Sequence, residues 1–301
     1  MRTDTRLLFM SDTHFTRMKE SDNPVWLNRL MLNKWDEIKE AFISEIKELN
    51  PDAIIHCGDF THSGTKADFA YGKSILDATG VDWYAVPGNH DAITGEVKNE
   101  LRILYGAADT KGFYYSRRFG GIAVSFLDVC VRSKENTYAI DDSALDWLGI
   151  FLKENPDKTV FLVCHIPVRH KTVIADQGTF NYGERIIRGK IFGRYIDNVI
   201  GKIENANKLR KLISENSHVK AVFSGHWHIN SLHISNGVYY KNIPSVCEYP
   251  CEVVIADCGV DGIRVYNKTL DTLGLREKSI MPERNNKWVM GSKKTRDTLI
   301  K

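Results

Sequence analysis

Five polar clusters carry residue types suited to metal chemistry: Asp12-Thr13-His14, Gly58-Asp59, Gly88-Asn89-His90-Asp91, His165, and Gly225-His226-Trp227-His228. Their carboxylate, imidazole and amide donors suit divalent manganese, iron or zinc, and no soft thiolate is among them. Alternate side chains of an extended segment share a side, so Asp12 with His14, and His226 with His228, can each grip one centre. Glycines before Asp59, Asn89 and His226 permit tight turns or close backbone approach. Singly, each cluster has a plain explanation. A Gly-Asp pair is commonly a turn, Asp-x-His is commonly a solvated loop, and His165 fits a core histidine bonded to backbone. Together they hold five of the ten histidines, and coincidence explains that poorly.

Each cluster directly follows an apolar, strand-like run, at residues 6–10, 53–57, 83–86, 159–164 and 219–223. Ligands in α/β sheets gather beyond the carboxyl ends of strands, so five such ends can bring these residues into one crevice. Helical spacing is predicted over 22–49, capped by Asp22-Asn23-Pro24 and stopped by Asn50-Pro51, and again over 65–79, 141–154 and 204–216. Residues 113–118 and 122–127 read as a hairpin, and the chain is strand-rich from 219 to about 268. Alternating units followed by short strands predict an α/β layered domain over 1–275. Within it lies a basic insert or lid at about 176–211, and a basic tail follows over 276–301.

The chain has 301 residues, 43% hydrophobic and 26% charged, which excludes disordered and fibrous classes. A net charge of +3 excludes a uniformly basic nucleic-acid coat. No apolar run reaches the length of a membrane span, and the first ten residues lack a signal-peptide cleavage site, so no membrane partner is expected. Several of the six cysteines sit in apolar, strand-like runs, and their spacing is not a disulfide framework, which points to a cytoplasmic protein. Cys247 and Cys251 resemble half of a zinc site, but no second pair accompanies them, and buried thiols are the simpler reading.

In their order, the five clusters resemble the signature of calcineurin-like metallophosphoesterases, from about residue 6 to residue 230. The resemblance implies two facing mixed β-sheets flanked by helices, a four-layer α/β/β/α sandwich. It implies two divalent metal ions, with Asp12, His14 and His228 holding one, Asn89, His165 and His226 the other, and Asp59 bridging both. His90 would be the catalytic histidine, oriented by Asp91, while Trp227 would point away into the core. Two cations about 3.5–4 Å apart can share a hydroxide that attacks phosphorus in line. His90 would then protonate the leaving alkoxide.

After Gly58-Asp59 the chain continues Phe60-Thr61-His62-Ser63-Gly64. This lacks the Asp-Arg-Gly of protein serine/threonine phosphatases, and His62 stands where purple acid phosphatases place a metal-binding tyrosine. The form is more similar to class III cyclic nucleotide phosphodiesterases, which implies a phosphodiester substrate, cyclic or otherwise nucleotide-like. His62, Arg169 and His170 are the candidate substrate contacts. Residues 181–211 carry a local +5 with Tyr182, Phe192 and Tyr195 interleaved, as a nucleic-acid binder would. A solvated helical face explains the same charge run. The tail is also +5, leaving −7 for the rest of the chain. A metal-dependent nuclease or nucleic-acid end-processing phosphatase is therefore the alternative, followed by a non-catalytic metal-binding scaffold.

Overall fold

The computed structural model describes residues 4–17, 34–107, 112–134, 137–168, 186–187, 190–191, 194–195, 202–280 and 289–301. The chain opens with β1 (Thr5–Met10), α1 (Trp35–Leu49), β2 (Ala53–His56), α2 (Lys66–Asp77) and β3 (Trp83–Ala85). Then come α3 (Glu96–Tyr105), the hairpin β4 (Tyr114–Phe119) and β5 (Ile122–Leu127), and the short pair β6 (Val131–Lys134) and β7 (Thr137–Ala139). After α4 (Asp142–Glu154) and β8 (Thr159–Val163) come three two-residue strands, β9 (Ile186–Ile187), β10 (Lys190–Ile191) and β11 (Arg194–Tyr195). β12 (Lys202–Ile203), α5 (Ala206–Glu215), β13 (Val219–Ser224), β14 (Ser231–Ser235), β15 (Val238–Asn242), β16 (Glu252–Gly259) and β17 (Gly262–Thr269) follow. Two short helices, α6 (Leu275–Lys278) and α7 (Lys293–Arg296), precede the last strand, β18 (Asp297–Ile300).

Two six-stranded mixed sheets result, ordered β18-β17-β16-β1-β2-β3 and β14-β15-β13-β8-β5-β4. β1, β2 and β3 run parallel in the first, as do β5, β8, β13 and β15 in the second. The two-residue period sorts the second sheet's residues. Val124, Phe126, Phe161, Val163 and Phe223 join the first sheet's core, whereas Ala123, Leu127, Val160, Leu162 and Val222 join the helices on the outer face. Both faces are therefore buried, which is why these strands read as unbroken apolar runs. Phe9 of β1 stacks on Phe223 of β13 with ring centroids 3.8 Å apart, locking sheet to sheet directly below the strand ends.

The helices close the outer layers, as the α/β/β/α expectation requires. α1 buries Trp35, Ile38, Phe42 and Ile46 and ends where Asn50, at φ 46°, turns its N–H back to the Ile46 carbonyl. α4 starts where the Asp141 carboxylate accepts from Ser143 N at 3.0 Å. The first part of the helix predicted over 22–49 lies outside the described residues, as do Arg169, His170 and most of the basic insert. α3 was not predicted. It buries only Val97, Leu101 and Tyr105, a narrow stripe among charged neighbours. In the expected tail, β18 pairs antiparallel with β17, and Arg296 grips the buried Glu252 carboxylate at 2.6 and 2.8 Å. Among the described residues, no helix is long and apolar enough to cross a membrane.

Candidate metal centre

The segments beyond β1 and β2 stay zipped after the strands end. Asp12 N–H donates to the Gly58 carbonyl at 3.0 Å, His14 N–H to Asp59 at 3.1 Å and Phe15 N–H to Phe60 at 2.8 Å. Gly225 N–H donates to the His165 carbonyl at 2.9 Å, and His226 N–H to both Asp12 carboxylate oxygens at 3.0 and 3.1 Å. These cross-links force an unusual backbone. Asp12, His14, Asp59, His226 and His228 all adopt left-handed φ between 45° and 72°. Such conformations cost non-glycine residues about 1–3 kcal/mol each, and they gather where a site over-determines them.

Glycines supply the close approaches. A Cβ on Gly88 would lie 2.1 Å from Asp59 N, one on Gly225 would lie 1.8 Å from Ser11 Oγ, and one on Gly58 would lie 2.6 Å from His165 Nδ1. Each of these pairings joins one strand-end segment to another, which explains the glycine before Asp59, Asn89 and His226 in the sequence.

The structure brings the predicted residues into two adjoining groups and divides His226 from His228 between them, against the expectation that this pair grips one centre, because both residues leave the extended conformation. Asp12, His14 and His228 form one and Asp59, His165 and His226 the other, with potential ligand atoms within 4.8 Å of one another in each. His228 Nε2 lies 3.2 Å from Asp12 Oδ1 and 3.3 Å from His14 Nε2. Asp59 Oδ2 lies between the groups, 3.3 Å from His165 Nε2 and 3.8 Å from His14 Nε2. Asn89 Oδ1 reaches His165 Nε2 at 3.1 Å. No cysteine belongs to either group, and all six cysteines are buried and outside any disulfide. Two imidazole nitrogens this close, ringed by buried carboxylates, form a donor set that fits a divalent cation.

The electrostatics follow from that crowding. Burial works against the charge on Asp59, but His165, His90 and His14 outweigh it and hold the carboxyl well below the usual range. Burial likewise opposes charge on His165 and His228, yet Asp59 with Asp12 pushes His165 up to about 9, and Glu248 with Asp12 pushes His228 up to about 9.

His90 sits at the rim of the site. Its Nδ1 lies 2.7 Å from the His62 carbonyl, which can only accept, so that nitrogen carries the proton. The predicted partner, Asp91, does not hold this ring. Its carboxylate accepts from Phe60 N, Thr61 N, Thr61 Oγ1 and Gly88 N at 2.8–3.0 Å, tying the β2 and β3 segments together. The expectation failed because chain neighbours in a tight turn point in different directions. His62 presents its ring 5.2 Å from that of His90, and it joins His14 and His90 in a third group of close nitrogens. Trp227 is buried, as predicted.

Sequence reasoning missed two groups behind the site. His56 is fully buried, with Thr13 Oγ1 3.0 Å from Nε2 and Gly58 N–H donating to Nδ1 at 3.2 Å. Glu248 places Oε1 against His228 Nδ1. The sequence signal for His56 was a histidine inside an apolar strand; Glu248 carried none.

A family model described as calcineurin-like phosphoesterase matches residues 5–230. A probable glycerophosphodiester phosphodiesterase, GpdQ, of Arcobacter nitrofigilis is 28% identical over 163 residues, covering 52% of this chain and 55% of that protein. The chain thus aligns with about half the length of that relative. A 3',5'-cyclic-nucleotide phosphodiesterase of Nostoc sp., alr5338, is 22% identical over 209 residues, covering 69% and 68% respectively. Among solved structures, a dimetal phosphatase from Danio rerio has a TM-score of 0.64 at 13% identity, covering 89% of this chain and 97% of that one. Purple acid phosphatase PPD1 from yellow lupin has a TM-score of 0.56 at 11% identity, covering 88% and 51%. The last two likenesses concern the fold. With the family model spanning well over half of its length, the chain belongs to the calcineurin-like phosphoesterase family.

Proposed function

We propose that the chain is a phosphodiesterase that works with two divalent metal ions. Asp12, His14 and His228 would hold one, Asn89, His165 and His226 the other, and Asp59 would serve both. The observation that carries this is the pair of adjoining donor groups with the Asp59 carboxylate between them. When bound, such ions activate a water and neutralise phosphoryl oxygens. The chain's own residues do the rest. With its Nδ1 proton committed to the His62 carbonyl, His90 as an imidazolium carries a second proton on Nε2, which it would give to the departing alkoxide, ending as the neutral Nδ1–H ring. Asp91 keeps the segments carrying Asp59 and Asn89 in register through its four hydrogen bonds.

A cleft of about 710 Å³ opens beside Asn89 and His90, lined also by Ile93, Lys98, Cys130 and Tyr138. That is within the range of small-molecule sites and larger than a bare phosphate needs. Together with the phosphodiesterase names of both relatives, it favours a diester with organic groups on both oxygens, nucleotide-like in class. His62, whose ring lies 5.2 Å from that of His90, would meet one of those groups. The six buried thiols, none of them in a disulfide, agree with a reducing cytoplasm. Residues 1–275 would form the catalytic domain, with the basic insert as a lid; a nuclease activity is favoured only by that insert's charge.

Hydrolysis of bis-p-nitrophenyl phosphate in manganese tests the proposal against an Asp59→Asn control. Turnover well above the control is expected, and turnover equal to it would refute the proposal. A panel of cyclic nucleotides, linear dinucleotides, phosphomonoesters and short nucleic acids then ranks the substrate classes.

A further inference from the structure

The ring of His228 is backed by a carboxylate outside both donor groups. Glu248 is 1% exposed, its Oε1 lies against His228 Nδ1, and its Oε2 has no hydrogen-bond partner among the described residues. A buried carboxylate with half of its accepting capacity unmatched is costly unless a positive charge stands nearby. It also fixes the ring's polarity. A carboxylate only accepts, so Nδ1 of a neutral His228 carries the proton and its Nε2 lone pair faces Asp12 and His14.

His165 has the same arrangement with a neutral partner, its Nδ1 lying 2.9 Å from the Cys57 carbonyl. One ring is thus backed by a full charge and the other by a dipole. The segment carrying Glu248 is anchored to the same strand ends. Ser245 Oγ donates to the Asp12 carbonyl at 2.8 Å, and Ile243 N–H donates to Ser224 at 2.7 Å. The carboxylate therefore sits on a fixed platform.

We propose that Glu248 is a positioning residue for the ion held by Asp12, His14 and His228. It sets the tautomer and angle of the His228 ring and adds negative charge through it. This inference rests on the two-ion proposal above. Carboxylate partners of metal-ligating histidines elsewhere contribute about 10–100-fold in metal affinity.

Cobalt(II) titration of the whole chain tests it, read by visible absorption and by competition with a chromophoric chelator. Wild type is compared with Glu248→Gln, which keeps size and an acceptor oxygen, and with Glu248→Ala, which removes both. Wild type should take two ions. One of them should weaken by about 10–100-fold in Glu248→Ala and shift its absorption bands, with Glu248→Gln intermediate and the second ion unaffected. If the alanine variant does not fold, the glutamine variant decides, with a loss of about tenfold or less at one ion only. Two ions bound at wild-type affinity in the variants would overturn the role of Glu248 alone. Equal weakening of both ions would overturn it too, because the effect would then be on the fold. A wild type that fails to take two ions would overturn the two-ion proposal itself.

Discussion

Replacing Gly88 by alanine would press a methyl group onto the carboxylate that the account makes central. The new Cβ would lie 2.1 Å from both Asp59 N and Oδ1, and 2.8 Å from Asp59 Cα, where ordinary contact begins at 3.4 Å. Its neighbours are chiefly backbone, so no flexible side chain can swing away. Asp59 or the turn around Gly88 must move by roughly 1 Å or more, and displacement on that scale costs on the order of 100-fold in turnover. That is about 2.7 kcal/mol of barrier. Overpacking adds a stability loss of about 1–3 kcal/mol. Gly121→Ala is the control, because nothing lies within 4 Å of its Cβ. Manganese-dependent turnover of bis-p-nitrophenyl phosphate, bound-metal content and urea unfolding should be measured on both variants. Gly88→Ala with wild-type turnover and metal content would refute the reasoning; Gly121→Ala should match wild type.

His90→Ala should slow hydrolysis of diesters with poor leaving groups far more than those with p-nitrophenolate, while bound metal stays at the wild-type level. Loss of both ions in that variant would count against its role as the acid. Burial pushes the His56 pKa down to about 3 from 6.5, so its stability contribution is complete above pH 6.5 and lost as pH falls towards 3. The unfolding free energy of wild type from urea titration should therefore fall more steeply below pH 6.5 than that of His56→Gln, by up to about 1.4 kcal/mol per pH unit. Parallel curves would contradict the assignment. The six buried thiols, with those of Cys164 and Cys258 pushed up to about 12 by burial, should ignore a thiol reagent in the native protein. All six should react in denaturant without reductant, and fewer would reveal a disulfide.

The site was legible because its chemistry sits at strand ends. An apolar run such as Ile54-Ile55-His56-Cys57 followed by Gly58-Asp59 marks both the buried strand and the turn beyond it. The glycines were legible too, since only a missing Cβ lets Gly88 lie against Asp59. The left-handed backbone at Asp12, His14, Asp59, His226 and His228 was not, because it is imposed by bonds between segments far apart in sequence. Glu248 was hidden for the same reason, lying twenty residues beyond His228 with no motif around it. α3 was hidden by its exposure, its stripe of Val97, Leu101 and Tyr105 set among Glu96, Lys98, Glu100 and Arg102. Asp91 shows how adjacency misleads, since it serves Phe60, Thr61 and Gly88 and not the ring beside it.

The most direct test of the two-ion account is a manganese titration of metal-free protein, following diester turnover and electron paramagnetic resonance in the same samples. Activity should appear with the second equivalent, together with the signal of an exchange-coupled manganese pair, and Asp59→Asn should show neither. Full turnover with a single equivalent and no coupled signal would contradict the account.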